Sequence, residues 1–352
     1  MRRERLRRPG RRAGVRGRRR RRDRTRAADV AGPGVARDPV GELMLADFTI
    51  LRPGSVAEAC RLLQEHDGEV AAYAGGTELL LAMKLGFADY PLLLDLKGLP
   101  ELGSLAVTPQ EVRIGAAVTH RRLERSPEIA AALPSLVALE RRVANPRVRA
   151  IGTIGGNLAF GEPHSDPATY LVATGARLVC QRADGTRRTV PAAEFLTGPF
   201  ETILEPGELL VEVWIPRPAA GAAIAHQRMV LTERPAAAVT AAVTVDGGLV
   251  TAARIAVGAA TPVPIRVPAT EELLAGAAAE GLLDPAGDLL PRAGTAAAET
   301  VTIESGADVT YRRQLVAVLV RRAVHDALRA PAAVASSRPS RGGLTRAPAP
   351  MM

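Results

Sequence analysis

Two short stretches set adjacent glycines beside hydrogen-bonding side chains: Ala74-Gly75-Gly76-Thr77-Glu78, and about 80 positions later Gly152-Thr153-Ile154-Gly155-Gly156-Asn157. A glycine pair lets the backbone adopt positive φ and come close to a ligand, with no Cβ in the way. Successive N–H groups in such a turn can point the same way and form an anion-binding concavity, reinforced where the turn opens a helix. Two such loops facing each other would grip a diphosphate from both sides. Gly247-Gly248, following Asp246, reads as an ordinary turn between two strands. Neither of the first two stretches has the G-x-G-x-x-G spacing, and no Gly-Lys-Ser/Thr follows, so any dinucleotide must sit on another scaffold.

Groups that do chemistry unaided are sparse. His66, His120, His164, His226 and His325 are scattered without metal-ligand spacing; His164, near the second stretch, could touch a ligand but reads better as a solvated loop histidine. Ser165 has no evident base, and the glycine-rich regions lack paired carboxylates. Chemistry at this site would therefore belong to a bound cofactor that the protein positions.

The elements around the first stretch alternate regularly. Phe48 to Leu51 reads as a strand, and Ser55-Val56-Ala57-Glu58 is a capping box opening a helix through about His66. Val70 to Ala74 is a buried strand, Glu78 to Leu85 a helix and Pro91 to Leu96 a strand, which puts the first glycine pair at a strand-to-helix junction. Glu111 to Val118 follows as a strand with Arg113 outward and Ile114 inward. Helices are expected at His120–Arg125 (capped by Thr119), at Pro134–Val143 and, opened by Asp166, at Pro167–Gly175. Strands Arg177–Gln181 and Thr186–Val190 meet at an Asp184-Gly185 turn, and Glu208–Ile215 is a further strand. After a Pro/Ala/Gly linker at 217–221, strands at Ala222–Val230, Ala237–Val245 and Val250–Val257 precede Ala- and Leu-rich helices ending at Tyr311–Ala330. Strands followed by helices imply a small α+β domain.

The 352 residues, 47% of them apolar, suffice for two or three domains, and no apolar run of membrane-spanning length occurs. The net charge of +9 is misleading as a nucleic-acid signal. Residues 1–43 hold 16 Arg against 5 acidic residues, and the rest holds 30 Lys+Arg against 32 Asp+Glu, nearly neutral. That Arg-rich stretch is expected to be disordered. Its readings are an RNA- or anionic-membrane-binding tail, a targeting peptide, or an overlong start assignment with Met44 as the initiator, which is preferred; residues 331–352 are also expected to be disordered. Cys60 and Cys180 are far apart and outside any C-x-x-C pair, which argues against zinc or iron–sulfur ligation in this chain and fits a reducing cytoplasm.

From about Phe48 to Ala330 the chain resembles the flavin-binding subunit of the molybdenum hydroxylases, such as carbon monoxide dehydrogenase medium subunits and the middle segment of xanthine dehydrogenases. The resemblance rests on Ala74 to Glu78, on Val148-Arg149 leading into Gly152 to Asn157, and on Pro163 to Asp166. Phe195-Leu196-Thr197-Gly198, Glu208-Leu209-Leu210 and Ile215-Pro216 add to it.

The resemblance implies an α+β fold: a two-subdomain FAD-binding fold of the PCMH (vanillyl-alcohol oxidase-like) type at 44–216, with subdomains at about 44–103 and 104–216. A small C-terminal α+β domain is implied at 222–330. It also implies that Ala72, Tyr73, Ala74, Gly75, Gly76, Thr77 and Glu78, together with Thr153, Ile154, Gly155, Gly156 and Asn157, hold the FAD diphosphate. Asp166 falls where a family Asp contacts the adenosine ribose, Leu210 where a residue packs near the flavin, and Arg228 where the xanthine dehydrogenase branch has a lysine near the cofactor. Two departures stand out: Ala150 replaces a frequent Asn, and two cysteines cannot ligate the extra iron–sulfur cluster some relatives carry.

The expected function is electron transfer through FAD, from a 2Fe-2S small subunit to NAD or another acceptor, with substrate hydroxylation at a molybdopterin-containing large subunit. The alternatives are a self-sufficient flavin oxidase or reductase of the same fold and a nucleic-acid-binding protein led by the Arg-rich tail. The neutral body and the want of aromatic stacking residues speak against the latter.

Overall fold

The computed structural model describes residues 45–230, 234–303 and 309–330. The expectations about 1–43, Met44 and 331–352 fall outside the described residues. Strand β1 (Thr49–Leu51) runs to Ser55, whose Oγ accepts from Glu58 N at 3.1 Å and opens α1 (Val56–Glu65). Glu58 Oε2 returns to Gly54 N at 2.7 Å, one residue earlier than the S-x-x-E box implies. Strand β2 (Val70–Tyr73) feeds the first glycine pair, which is followed by α2 (Leu79–Lys84) and β3 (Leu92–Asp95). The three strands pair in parallel in the order β1-β3-β2, with the helices as crossovers.

Strands β4 (Leu105–Val107) and β5 (Glu111–Gly115) begin the second sheet. Six short helices follow: α3 (His120–Arg125), α4 (Pro127–Ala132), α5 (Pro134–Glu140), α6 (Pro146–Ile151), α7 (Ile154–Phe160) and α8 (Asp166–Thr174). The sequence reading anticipates α3, α5 and α8. It misses α4, α6 and α7, because Ser-Pro, Asn-Pro and Gly-Gly read as turns. Proline instead occupies the first helical position of α4 and α6, where its missing N–H would be unpaired anyway. The sheet is completed by β6 (Arg177–Gln181) and β7 (Arg187–Pro191), joined through Asp184 Oδ1 accepting from Thr186 N at 2.8 Å. After a short helix α9 (Ala192–Phe195) and a small hairpin of β8 (Leu196–Gly198) and β9 (Glu201–Thr202) comes β10 (Leu209–Pro216). The antiparallel order is β4-β5-β10-β6-β7. Arg113 is exposed and Ile114 buried, as the alternation requires. Leu94, Ile114, Leu123, Tyr170, Phe195 and Val213 belong to the shared core.

The third sheet is β11 (Ala222–Val230), β12 (Pro235–Asp246), β13 (Leu249–Gly258) and β14 (Ile265–Arg266), paired antiparallel in that order. Helices α10 (Pro268–Leu274), α11 (Ala279–Leu283), α12 (Leu289–Thr300) and α13 (Val309–Arg329) follow. On α13, Val316, Leu319, Val320, Ala323, Val324 and Ala327 repeat at helical spacing and are buried in a second core with Val239, Val243 and Ile255. Helix α8 lies against the other side of this sheet: a Cβ on Gly258 would collide with Thr169, and Ala256 belongs to the first core while Ile255 and Val257 belong to the second.

Both cysteines are free and buried. Burial pushes the Cys60 thiol up to about 11 and Cys180 up to about 12, which makes them inert packing groups.

Candidate functional site

The two glycine stretches meet. A Cβ on Gly75 would overlap Ile151 O and stand 2.7 Å from Gly152 Cα, and one on Gly152 would stand 3.5 Å from Thr77 Oγ1. At this contact Gly75 has no room for a Cβ, so the backbones of the two stretches approach as closely as only glycine permits.

Their roles differ, and the symmetrical two-sided grip expected from sequence needs correcting. Among the described residues, the backbone N–H groups of Ala74, Gly75, Gly76, Thr77, Glu78 and Leu79 donate to no protein group. Gly76 sits at φ +69°, which bends this run of amides, and all six residues are only partly covered. Six successive N–H groups without a protein acceptor form a ready receptor for anionic oxygen. In the second stretch, all amides from Gly152 to Asn157 except that of Thr153 are bonded within the protein. Ile154 N donates to Val118 O at 3.0 Å, Gly155 N to Ala116 O at 2.9 Å, and Asn157 N to Thr153 O at 2.9 Å. Gly156 N goes to the Thr153 hydroxyl at 3.1 Å, capping α7. The sequence pattern misled here because a Gly-Gly pair inside a capped helix looks the same as one in a free turn. Gly155 serves close packing on Ala116.

The remaining expected residues fall as follows. Ala72 and Tyr73 end β2; Lys97 Nζ lies 3.7 Å from the Tyr73 ring centroid and is paired with Asp95 at 2.8 Å. Asn157 Oδ1 accepts from Ser165 Oγ at 2.6 Å, and the same hydroxyl accepts from Ala168 N, so Ser165 is a helix cap and a tie to α7. Leu210 is buried at the β10 bulge opposite Cys180.

Asp166 and Arg228 are in direct contact. Asp166 is only 5% exposed; it accepts from Arg228 Nη1 and, at 3.2 Å, from His226 Nε2, while His226 Nδ1 meets the Thr240 hydroxyl at 2.8 Å. Arg228 Nη2 donates to Arg142 O, but its Nε is buried with no partner among the described residues. Burial alone would raise the Asp166 carboxyl; the bonds from His226 and Arg228 override it and hold the group below the ordinary carboxylate range. A depressed folded-state value means that the carboxylate stabilises the fold above its unfolded value of about 4. That stability is lost as pH falls through the folded value. Asp166→Asn is therefore expected to cost about 3 kcal/mol at neutral pH, by leaving the Arg228 guanidinium without its carboxylate. Urea unfolding over a pH series should show the deficit shrinking below about pH 4, and a deficit constant across that window would exclude the charge as its cause.

A second network was not legible in the sequence. Arg234 Nη2 reaches Glu78 Oε2 at 3.3 Å, and its Nη1 reaches Glu162 Oε1 at 2.6 Å. Glu162 also holds His164 Nδ1 at 2.6 Å and accepts from His164 N. So His164 is a bonded member of the site, not a solvated loop residue, and two carboxylates converge through one guanidinium. Burial would lower Arg234, yet Glu162 and Glu78 hold it above its ordinary value; burial would raise Glu162, yet His164 and Arg234 hold it below. Arg234 lies 156 positions from Glu78 and 72 from Glu162, so no local pattern announces it. Beneath the second stretch, His120 N donates to Gly152 O and its Nδ1 meets the fully buried Glu140 at 2.8 Å.

Comparison with known proteins gives this arrangement its family. Residues 46–218 match the family described as FAD binding domain in molybdopterin dehydrogenase, and residues 232–327 match the CO dehydrogenase flavoprotein C-terminal domain. The nicotine 6-hydroxylase medium subunit of Paenarthrobacter nicotinovorans is 31% identical over 78% of this chain and 95% of its own length. The carbon monoxide dehydrogenase medium chain of Hydrogenophaga pseudoflava is 38% identical over 52% of this chain and 63% of that protein. A solved carbon monoxide dehydrogenase chain from Hydrogenophaga pseudoflava superposes with a TM-score of 0.76 at 32% identity, covering 81% of this chain and 98% of that one.

The fold and site define a flavin-nucleotide-binding protein of the oxidoreductase class. More narrowly, the chain belongs to the family of FAD-binding subunits of the molybdenum hydroxylases, and its cofactor is FAD. The residues present fit that group: six unengaged amides suit a diphosphate, and the orphaned, buried Nε of the half-buried Arg228 suits a further acceptor.

Proposed function

We propose that this chain is the electron-transfer subunit of a molybdopterin-dependent hydroxylase or dehydrogenase. In this reading it assembles with a molybdopterin-containing large subunit and a 2Fe-2S small subunit in the cytoplasm, and electrons leave to NAD or another acceptor. The reading is supported by relatives that carry the names of medium chains and medium subunits. Bound FAD supplies both one-electron and hydride chemistry; the protein supplies binding, orientation and exclusion of water. The region 44–216, in parts 44–103 and 104–216, would be the flavin module, and 222–330 the C-terminal module.

The observation that carries the proposal is the run of unengaged amides from Ala74 to Leu79 around the positive-φ Gly76. These N–H groups would receive the diphosphate oxygens, with Ala72 and Tyr73 fixing the strand that delivers them. Thr153, Ile154, Gly155, Gly156 and Asn157 would form the opposing wall as the first turns of α7, shaping the cleft more than donating to it. Asp166, already oriented by His226 and Arg228, keeps lone pairs for a ribose hydroxyl, and Arg228 would offer its Nε. Leu210 would back the site from the core.

The purified chain is expected to be yellow, with flavin absorption and about one FAD per polypeptide released on denaturation. Co-purification from the native host with mass spectrometry of the associated chains tests the assembly. Recovery without molybdopterin- or iron–sulfur-bearing partners, together with steady-state turnover by the isolated chain, would favour the self-sufficient flavin enzyme.

A further inference from the structure

Glu78 poses a difficulty for the amide-lined loop to which it belongs. Its carboxylate is attached directly to the segment whose N–H groups await anionic oxygen. A carboxylate in reach of unengaged amides is both a competitor for them and a source of repulsion toward a diphosphate. Glu78 nevertheless makes no side-chain capping bond to its own helix. It is drawn the other way, to Arg234 at the start of β12, and Arg234 is anchored in turn by Glu162, which His164 backs.

Resting on the FAD reading, we propose that Arg234 is a positioning residue that holds the Glu78 carboxylate clear of the Ala74–Leu79 amides and neutralises it, so that the loop is open to a diphosphate. The arrangement assigns a task to the C-terminal part of the chain within the flavin site, through a residue with no direct part in holding the nucleotide. It also separates two things that the motif Ala74-Gly75-Gly76-Thr77-Glu78 runs together: a backbone that binds and a side chain that must be kept away.

The test is FAD titration of the deflavinated full-length protein, for wild type, Arg234→Gln, Arg234→Lys and the double variant Arg234→Gln with Glu78→Gln. Arg234→Gln is expected to raise the FAD Kd about tenfold, the effect of leaving one carboxylate unneutralised beside a doubly charged group in a partly screened site. Arg234→Lys should recover most of the loss, because a single charge suffices. The double variant should return to near the wild-type value, since removing the Glu78 charge removes what Arg234 was restraining. A merely structural role for Arg234 predicts the opposite for the double variant, which would bind no better than Arg234→Gln alone. That result, or an unchanged Kd in Arg234→Gln, overturns the proposal. Wild-type protein that fails to take up FAD would instead overturn the FAD reading beneath it.

Discussion

Gly76→Val is expected to yield a folded protein that has lost its flavin. The residue lies at φ +69°, a region that costs an L-residue about 1–2 kcal/mol, and more for a β-branched side chain. A Cβ there would overlap the Tyr73 ring at Cε2 and approach Leu80 Cδ1 to 3.2 Å. Tyr73 is only partly buried and its ring is the movable end of a side chain, so the fold can yield locally. What cannot survive is the bend that presents the amides of Ala74 to Leu79 together. Losing several charge-assisted bonds to a diphosphate, at about 1.5–3 kcal/mol each, amounts to a fall in FAD affinity of more than about a hundredfold. Flavin content per chain and far-ultraviolet circular dichroism, measured on the same preparation, check the result. A native-like spectrum with a full complement of FAD would refute the amide-loop account.

Gly155→Val is expected to fail differently, by destabilising the fold itself. A Cβ on Gly155 would stand 2.5 Å from Ala116 Cβ and 2.7 Å from Ala116 O, and Gly155 N is bonded to that same carbonyl. The obstacle is backbone, held in turn by Ala116 N bonding Val211 O across to β10. No rotamer change relieves it, and α7 must shift off the second sheet. Overpacking of this kind costs about 3 kcal/mol or more, a large part of a domain's stability. Thermal unfolding of Gly155→Val and Gly76→Val side by side gives the contrast: a large fall in Tm for the first and a small one for the second. Equal Tm values would mean that the two glycine pairs do the same job after all.

That contrast marks how far the sequence could be read. The strand–helix alternation from Thr49 to Asp95 and the three strands after the linker were legible, because apolar periodicity and the Ser55 cap are local signals. So was the meeting of Ala74–Glu78 with Gly152–Asn157, through the resemblance. The helices α4, α6 and α7 were not, since proline or glycine stands at or near their starts and the same residues also mark turns. Nor was the division of labour between the glycine pairs, which depends on where the Ala116 and Val118 carbonyls lie. Arg234, Glu162 and the His226–Asp166–Arg228 cluster were invisible for a related reason. Ion pairing between residues 60 to 156 positions apart is a property of the assembled fold, with no counterpart in a window of sequence.

The Asp166 cluster bears on how members of this family can be recombined. The helix that Asp166 opens is sandwiched, facing the first core on one side and the strands of the last sheet on the other. Its buried carboxylate takes its side-chain hydrogen bonds from His226 and Arg228, both carried on β11. A chimera that grafted a foreign C-terminal module after the 217–221 linker would leave that buried carboxylate without both hydrogen-bond donors unless the grafted module brought equivalents of His226 and Arg228. Crossover points that keep residues 166–174 together with 222–258 respect that dependence, whereas the linker, the obvious place to cut by composition, does not.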